Sequence, residues 1–277
     1  MPMTDQPQNT SFSPPGVPVL PMVNWGGLRA LYVKEVRRFF KVQLQTVWAP
    51  AITTLLYLVI FTVALGRGGR EVMGHPFASF IAPGLIVMGM MQNAFANASF
   101  SLLAGKMQGT IIDYLMPPLS TAEVVVALVG ASVSRAILVG FAVWLVMLPW
   151  PGVNVMPEHM WAVIWFGLMG STLLSLLGLL TSIWADKFDH AAAVTNFVIA
   201  PLSLLSGTFY SVDSLHAGFQ AASHANPFFY VISGFRYGFL GDADSPILTG
   251  AIVLLAVNLV LGWLCYVLLA KGWKVKS

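Results

Sequence analysis

Residues 124–148 read VVVALVGASVSRAILVGFAVWLVML, an apolar run in which Arg135 is the one charged residue. A helix of this length rises about 37 Å, which exceeds the roughly 30 Å hydrocarbon core of a bilayer. The run lacks the period-two alternation of a barrel strand, so it predicts a transmembrane helix. Five similar runs are Trp48–Leu65, Phe77–Leu103, Met160–Trp184, Ala191–Phe209 and Leu248–Ala270. We therefore predict an all-α integral membrane protein with six spans.

The composition agrees with this fold class. Of the 277 residues, 57% are apolar and 9% are charged, whereas soluble domains carry roughly 25% charged residues. The charges fall mainly between the apolar runs, so we expect one membrane domain over residues 24–277. The net charge of +3 forms no continuous basic face, and we expect no nucleic-acid partner. Residues 1–23, rich in Pro, Ser and Thr, predict a disordered cytoplasmic tail without a cleaved signal.

The distribution of Lys and Arg predicts the orientation of the spans. If the amino terminus lies inside, ten basic residues fall on the cytoplasmic side and three on the outer side. Cytoplasmic loops carry the excess of Lys and Arg, so we expect both termini in the cytoplasm. The ten are Arg29, Lys34, Arg37, Arg38, Lys41, Lys106, Lys187, Lys271, Lys274 and Lys276, and the three are Arg67, Arg70 and Arg236.

Residues 24–41 precede the first span and predict an amphipathic interfacial helix. At 100° per residue one face is apolar and the opposite face is basic. We expect the apolar face in lipid and the basic face against anionic headgroups or a protein. The simpler alternative is an anchor that only sets orientation. The apolar face holds Trp25, Leu28, Tyr32, Val36 and Phe39, and the basic face holds Lys34, Arg37, Arg38 and Lys41.

The cytoplasmic link between spans 2 and 3 contains a short segment that suits docking. Two prolines, Pro117 and Pro118, stop any helix there, and Ser120 with Glu123 predicts a capping box that starts span 3. A plain connector would need neither this length nor exposed apolar residues. The predicted docking segment comprises Thr110, Ile111, Ile112, Asp113, Tyr114, Leu115, Met116, Pro117 and Pro118.

Polar side chains inside the spans are candidates for a transport path. Gln92, Asn93 and Asn97 lie in span 2, and Arg135 lies in span 3. Such groups are costly in hydrocarbon unless they face protein or water, so they mark functional sites. Hydrogen bonding between helices is the alternative for the amides. Snorkelling to the outer headgroups is the alternative for Arg135.

The segment between spans 5 and 6 predicts short re-entrant helices in the outer leaflet. It is too apolar for a solvated loop, and Asn226-Pro227 and several glycines interrupt it. Aromatic rings crowd its second half, where they would lie at headgroup depth. We expect a gate or a substrate contact here, and a purely anchoring aromatic belt is the alternative. The candidates are Asn226, Pro227, Phe228, Phe229, Tyr230, Arg236 and Tyr237.

Catalytic and metal-binding patterns are missing from the sequence. It has no GxxxxGK[ST] phosphate loop and no HExxH pattern, so we do not expect the chain itself to hydrolyse ATP. Cys265 stands alone within an apolar run, which provides no disulfide framework and no metal ligand set. The charges of Asp186, Lys187 and Asp189 are interpreted as solvated loop charges.

Three long strings resemble the membrane subunits of type-2 ABC exporters, the ABC-2 permeases. They are KEVRRFFKVQLQTVWAP (34–50), FIAPGLIVMGMMQNAFANASFSLLAGKMQGTIIDYLMPPLS (80–120) and LSGTFYSVDSLHAGFQAASHANPFFYVISGFRYGFLG (205–241). The resemblance runs from about residue 29 to the carboxy end and looks strongest toward the bacterial branch called YadH-like. Relatives in this family carry polysaccharides, nodulation lipo-oligosaccharides and drugs.

The resemblance implies a homodimer in the bacterial cytoplasmic (inner) membrane, carried by two copies of a separate ATPase subunit. ATP and Mg would bind to that subunit, and this chain would bind no cofactor. Gly109–Pro118 would be the coupling helix, and the interfacial helix would also lean toward the ATPase. The mechanism implied is alternating access that exports an amphipathic substrate. An ion-coupled secondary transporter is the rival class, but no acidic residue lies deep in a predicted span to carry a proton or sodium ion.

Overall fold

The computed structural model describes residues 22–65 and 71–274. Within these residues the regular secondary structure is helical apart from two two-residue strands, β1 (Glu71–Val72) and β2 (His75–Pro76), which pair antiparallel before span 2. The predicted tail, except its last two residues, and the basic residues Arg67, Arg70 and Lys276 lie outside the described part of the chain. The helices are α1 (Trp25–Phe40), α2 (Ala49–Leu65), α3 (Phe77–Met107), α4 (Ile112–Leu115), α5 (Thr121–Met147), α6 (Met160–Trp184), α7 (Phe188–Val194), α8 (Ala200–Leu205), α9 (Ala217–Ala225), α10 (Pro227–Leu240) and α11 (Ile247–Ala270).

Six helical segments are long and apolar enough to cross a membrane, which confirms the predicted fold class. Each lies at a predicted position, with ends that differ by a few residues. Two spans are composite, because π-helical turns at Leu44–Trp48 and Thr195–Ile199 continue directly into α2 and α8. In order along the chain, spans 1 to 6 are Leu44–Ala64, Phe77–Met107, Thr121–Met147, Met160–Trp184, Phe188–Leu205 and Ile247–Ala270.

Span 5 ends four residues earlier than its apolar run. Helical structure stops at Leu205, and Gly207 follows with a φ of +80°, a left-handed conformation that glycine adopts without steric cost. The predicted boundary at Phe209 was therefore too late. Apolar character continues through Phe209 because that residue packs against the core, its ring 4.3 Å from the ring of Phe61.

Span 2 is the central helix of the described structure. It packs most extensively against span 4 and span 3, and nearly all of its residues are buried. Gly178 of span 4 permits the closest approach, because a Cβ at that position would lie 2.6 Å from the carbonyl oxygen of Phe95. Small residues allow helix backbones to meet in this way inside membranes. Displacement of span 2 would therefore disturb most of the helical bundle.

The helix α10 enters the bundle from the end at which span 4 begins, and the sequence predicts a re-entrant element in this segment. It has 14 residues, or about 21 Å, too short to cross a bilayer. Its glycines face span 4 in antiparallel order, since a Cβ on Gly238 would meet Val163 and one on Gly234 would meet Phe166. Gly170 likewise faces Val231. The amino end of α10 thus lies about three turns deeper along span 4 than its carboxyl end.

Lys106 joins the carboxyl ends of spans 2 and 4. Its Nζ donates to the carbonyl oxygens of Ile183 at 2.8 Å and Ala185 at 2.7 Å, which end span 4. A cation at a helix carboxyl end also complements the helix dipole. Asp186 accepts from Lys274 Nζ at 3.3 Å and lies 4.0 Å from Lys106 Nζ. Asp186 is 56% exposed, as predicted for a solvated loop charge, and it also forms a surface ion pair with Lys274.

Candidate docking surface and membrane path

The link between spans 2 and 3 folds into an exposed single-turn helix. Gly109 has a φ of +70° and turns the chain after span 2. The helix proper is α4, four residues long, and so is shorter than the predicted 110–118 segment. Two apolar side chains of this segment face solvent: Ile112 is 56% exposed and Met116 is 77% exposed. Thr110, Asp113, Pro117 and Pro118 are also exposed, Ile111 is half-buried, and the Leu115 side chain lies outside the described residues.

Tyr114 anchors α4 to the rest of the protein. It is buried, and its hydroxyl donates to Glu35 Oε1 at 2.8 Å. The Lys34 Nζ lies 3.9 Å from the centre of the Tyr114 ring, within the range of a cation–π contact. Burial, followed by the Glu35 carboxylate, raises the pKa of the Tyr114 phenol above its usual value. The phenol therefore stays protonated and remains a donor to Glu35.

Asn24 and Glu123 hold the amino ends of α1 and α5 together. Asn24 caps α1 by accepting from the Gly27 N–H at 2.9 Å, and its Nδ2 donates to the Pro118 carbonyl at 3.1 Å. Glu123 accepts from the backbone N–H groups of Asn24 and Ser120. Ser120 Oγ accepts from the Glu123 N–H in return, which confirms the predicted capping box. The sequence analysis missed Asn24 as the N-cap of α1. An asparagine directly before the first helical residue, Trp25, is the signal that could have indicated it.

The helix α1 packs against span 3 and does not simply lie in lipid. Its buried face consists of Leu31, Glu35 and Phe39, and the Tyr32 hydroxyl lies 2.7 Å from Ser134 Oγ. Tyr32 and Phe39 were predicted to enter lipid, whereas the structure places them against protein. Trp25, on the same predicted face, is exposed. The predicted apolar face therefore packs partly against protein, at Tyr32 and Phe39, and is partly exposed, at Trp25.

An open basic groove of about 830 Å³ runs along the other side of α1 toward Tyr114. Arg37 and Lys41 are exposed there, as predicted for the basic face. Arg38 differs from the prediction, because its guanidinium turns inward and pairs with Glu35 at 3.0 Å. The full set of cations along the groove is Arg29, Lys34, Arg37, Arg38 and Lys41.

The three amides of span 2 divide into two kinds. Asn93 and Asn97 are buried and serve helix contacts: Asn93 Oδ1 accepts from Arg135 at 2.9 Å, and Asn97 Nδ2 donates to Ser132 Oγ at 3.0 Å. Gln92 is exposed on the surface of this chain. The interhelical alternative thus accounts for the two asparagines, while Gln92 stays a prediction for the path.

Arg135 lies near the middle of span 3, fourteen residues after its first residue, and is bonded to Asn93. This bond is to a neutral amide of span 2, and the guanidinium forms no salt bridge within residues 22–65 and 71–274. Its Nε is buried without a hydrogen-bond partner among the described residues. A guanidinium with an unmet donor in this environment stays a candidate for contact with a path or partner.

The predicted gate residues lie mostly inside the bundle. Asn226 caps α10 by accepting from the Phe228 N–H at 3.1 Å and donates to the Leu202 carbonyl at 2.8 Å. Pro227 occupies the first position of α10, where its missing N–H costs no helical bond. Phe228 and Phe229 are buried and do not face headgroups. Tyr230 and Tyr237 are half-buried, and the Tyr237 ring stacks on His159 at 4.6 Å.

Arg236 is fully buried, although the sequence suggested an outer charge. Its guanidinium pairs with the buried Asp244 and donates to the Gly207 carbonyl at 2.6 Å. It also lies 3.9 Å from the centre of the Phe80 ring. This network fixes α10 between span 2 and the end of span 5. Arg236 is thus removed from the count of outer surface charges.

An apolar cavity of about 520 Å³ lies between spans 2, 3, 4 and α10. Gly140 and Gly167 leave space for it, with Met90 and Phe235 in its wall. None of the predicted path residues of spans 2 and 3 lines this cavity. The cavity and the exposed amide of span 2 are separate features of the chain.

Comparison with known proteins identifies the family. A family model described as ABC-2 type transporter matches residues 27–240. The chain belongs to the ABC-2 type transporter family. This ABC-2 protein shares 36% identity over 254 residues with the inner membrane transport permease YadH of Escherichia coli strain K12, covering 91% of this chain and 98% of YadH. Nodulation protein J of Rhizobium leguminosarum bv. viciae is 27% identical over 82% of this chain and 87% of its own length.

Family membership assigns the ABC-2 chain a role as a transport permease. Its match with YadH covers nearly the whole of both chains, and its six apolar helices agree with an inner-membrane location. The family works with an ATP-binding subunit, so this chain provides the membrane part.

Proposed function

We propose that this chain is the membrane subunit of an ABC exporter and that a separate ATPase docks on α4 and the basic groove of α1. The observation that carries the proposal is the exposed α4, a short apolar element fixed to the bundle through Tyr114. Ile112 and Met116 supply apolar contact area, and Asp113 lies between them. The cations of the groove lie beside it, so the partner surface would combine an apolar pocket with acidic groups.

The same proposal includes a homodimer with two ATPase copies that exports an amphipathic substrate by alternating access. Spans 1, 5 and 6 are largely uncovered in this single chain, and Phe197 of span 5 is an example of an exposed apolar side chain. A second copy would cover part of this surface and leave the rest to lipid. ATP-driven closure of the partner would move α4, and the spans would open a path alternately to each side.

A pull-down with a co-expressed ABC ATPase tests the docking surface. The structure narrows the variant to Ile112→Ser together with Met116→Ser, because these side chains are exposed and leave Tyr114 and its bond intact. Met156→Ser is the matched control, since Met156 is 59% exposed and lies in the link at the opposite end of span 3. We expect the double variant to lose most ATPase recovery and the control to retain it.

Two outcomes would contradict the proposal. Unchanged recovery of the ATPase with the double variant would remove α4 from the docking surface. Failure of the native chain to retain any ABC ATPase, combined with transport that an ionophore abolishes, would favour the secondary transporter. Detergent-solubilised yield and elution volume establish that each variant is folded before binding is compared.

A further inference from the structure

A continuous set of buried polar contacts joins α4 to the inner half of the bundle through Glu35. The Glu35 side chain is 1% exposed. Its Oε1 accepts from the Tyr114 hydroxyl at 2.8 Å, and its Oε2 accepts from Ser101 Oγ at 2.8 Å. Both hydroxyl groups donate to the carboxyl oxygens of Glu35. Glu35 thus links three helices, α1, α4 and α3.

The contacts continue deeper into the membrane domain through Arg38. Its guanidinium pairs with Glu35 Oε2 at 3.0 Å and donates to the backbone oxygen of Asn97 at 3.0 Å. Asn97 in turn donates to Ser132 of span 3 at 3.0 Å. Asn97 lies ten residues before the end of α3, or about 15 Å along the helix axis. The polar contacts therefore extend from the docking helix to two spans well inside the bundle.

The covalent connections of α4 are less direct than this lateral route. On one side Gly109 forms an exposed turn between α3 and α4, and on the other side two exposed prolines precede α5. The lateral route instead uses charge-assisted hydrogen bonds to the buried Glu35 carboxylate, which are costly to leave unmade, while the Arg38 side chain is 33% exposed. A displacement of Tyr114 must therefore break its bond to Glu35 or carry Glu35, Ser101 and Arg38 along.

We propose that Glu35 is a positioning residue that transmits displacement of α4 to spans 2 and 3. This inference rests on the proposed function, because the docked ATPase supplies the displacement. Span 2 is suited to receive it, since it lies at the centre of the bundle. Its exposed residues Gln92 and Phe100 lie two turns apart on one side of an otherwise buried helix.

The test uses the complex of the full chain with its co-expressed ATPase in lipid nanodiscs. Buried Cys265 is replaced by Ala, and Gln92→Cys carries a small environment-sensitive fluorophore in span 2. The fluorophore reports the equilibrium between two conformations of span 2. In the labelled complex without further substitutions, ATP binding should change this equilibrium constant by at least about fivefold, the lower end of ordinary allosteric coupling. In complexes that contain the ATPase, Glu35→Gln and Tyr114→Phe should lower that factor to about one.

Two buried serines of span 2 distinguish an effect of the bond to Glu35 from an effect of altered packing in span 2. Ser101→Ala removes a bond to Glu35, whereas Ser99→Ala removes only a bond to Ala96 of the same helix. Both serines are buried in span 2. We expect Ser101→Ala to weaken the probe response and Ser99→Ala to preserve it. Tyr114→Phe keeps the ring in place, so it serves where Glu35→Gln does not fold.

The outcomes distinguish this inference from the proposed function. If the native chain retains no ATPase, the proposed function falls. If the ATPase binds and the probe does not respond to ATP, only the transmission route is overturned. The same holds if Tyr114→Phe and Ser101→Ala respond like the native chain. Loss of ATPase binding in the Tyr114 and Glu35 variants would assign these residues to docking and overturn their role in transmission.

Discussion

At the scale of single residues, Arg236 and Glu35 lie in surroundings that the neighbouring sequence does not indicate. Each is an ionisable group that the fold removes from solvent and surrounds with fixed partners. Arg236 pairs with Asp244, which is itself buried and also accepts from Ser211 Oγ at 2.6 Å. A buried ion pair adds little net stability over an apolar replacement, but removing one partner leaves an uncompensated charge. These residues are therefore sensitive positions although no catalytic role requires them.

The buried pair yields a prediction about stability. Asp244→Asn should lower the free energy of unfolding by about 3 kcal/mol, because it leaves the Arg236 charge without its carboxylate. Asp242→Asn is the control, since Asp242 is 54% exposed and pairs with His75 on the surface. That change should cost about 1 kcal/mol or less. Reversible unfolding in mixed detergent micelles measures both, and equal losses would contradict the argument.

At the scale of elements, the ends of helices are fixed by polar groups from other helices. Lys106 of span 2 caps span 4, and Glu123 of span 3 binds the backbone at the start of α1. Such contacts supply hydrogen bonds to the terminal backbone N–H and C=O groups, which have no partner within their own helix. They also explain why α1, α4 and the start of span 3 form one unit at the same end of the bundle. A load on α4 would therefore be shared among several helices.

The start of span 3 provides the second prediction about stability. Ser120→Ala should cost about 1 kcal/mol, the usual value for loss of an N-cap. Glu123→Ala should cost more, because the carboxylate also accepts from Asn24. Thr121→Ala removes a neighbouring hydroxyl that makes no side-chain hydrogen bond recorded within residues 22–65 and 71–274, and should be nearly neutral. Chemical unfolding in detergent gives the three values, and the prediction fails if Thr121→Ala matches Ser120→Ala.

At the scale of the whole molecule, the orientation of the bundle decides which surface meets an ATPase. The excess of Lys and Arg in the links at one end of the bundle predicts that α4 lies in the cytoplasm. It can be tested independently of any partner, because the single native cysteine, Cys265, is buried.

Cysteine accessibility tests the orientation directly. Met156→Cys lies in the link between spans 3 and 4, and Met116→Cys lies beside α4 at the opposite end. Both native side chains are exposed. In spheroplasts a membrane-impermeant maleimide should label Met156→Cys at once and Met116→Cys only after permeabilisation. The reverse pattern would invert the bundle and remove α4 from the cytoplasm.

Most of the fold and part of the site could be predicted from the sequence. The six spans and the capping box were predicted correctly because transfer into lipid and helix capping depend on residues close together in the chain. The position of a short element between spans 2 and 3 was predictable for the same reason, although its folding into a single turn was not, and its docking role stays a prediction. Buried Phe228 and the bonded Asn93 were harder, because residue type alone does not tell whether a side chain faces protein or lipid.

The sequence by itself determined that the chain lives in a membrane, where its spans begin and which links are polar. Only the tertiary structure decided which polar groups meet. Glu35 lies 66 residues from Ser101 and 79 from Tyr114, and Arg38 lies 59 residues from Asn97. Hydropathy is a sum over neighbours along the chain, whereas a buried hydrogen bond depends on how distant helices pack. The spans could be read locally for that reason, and the contacts that join them to α4 could not.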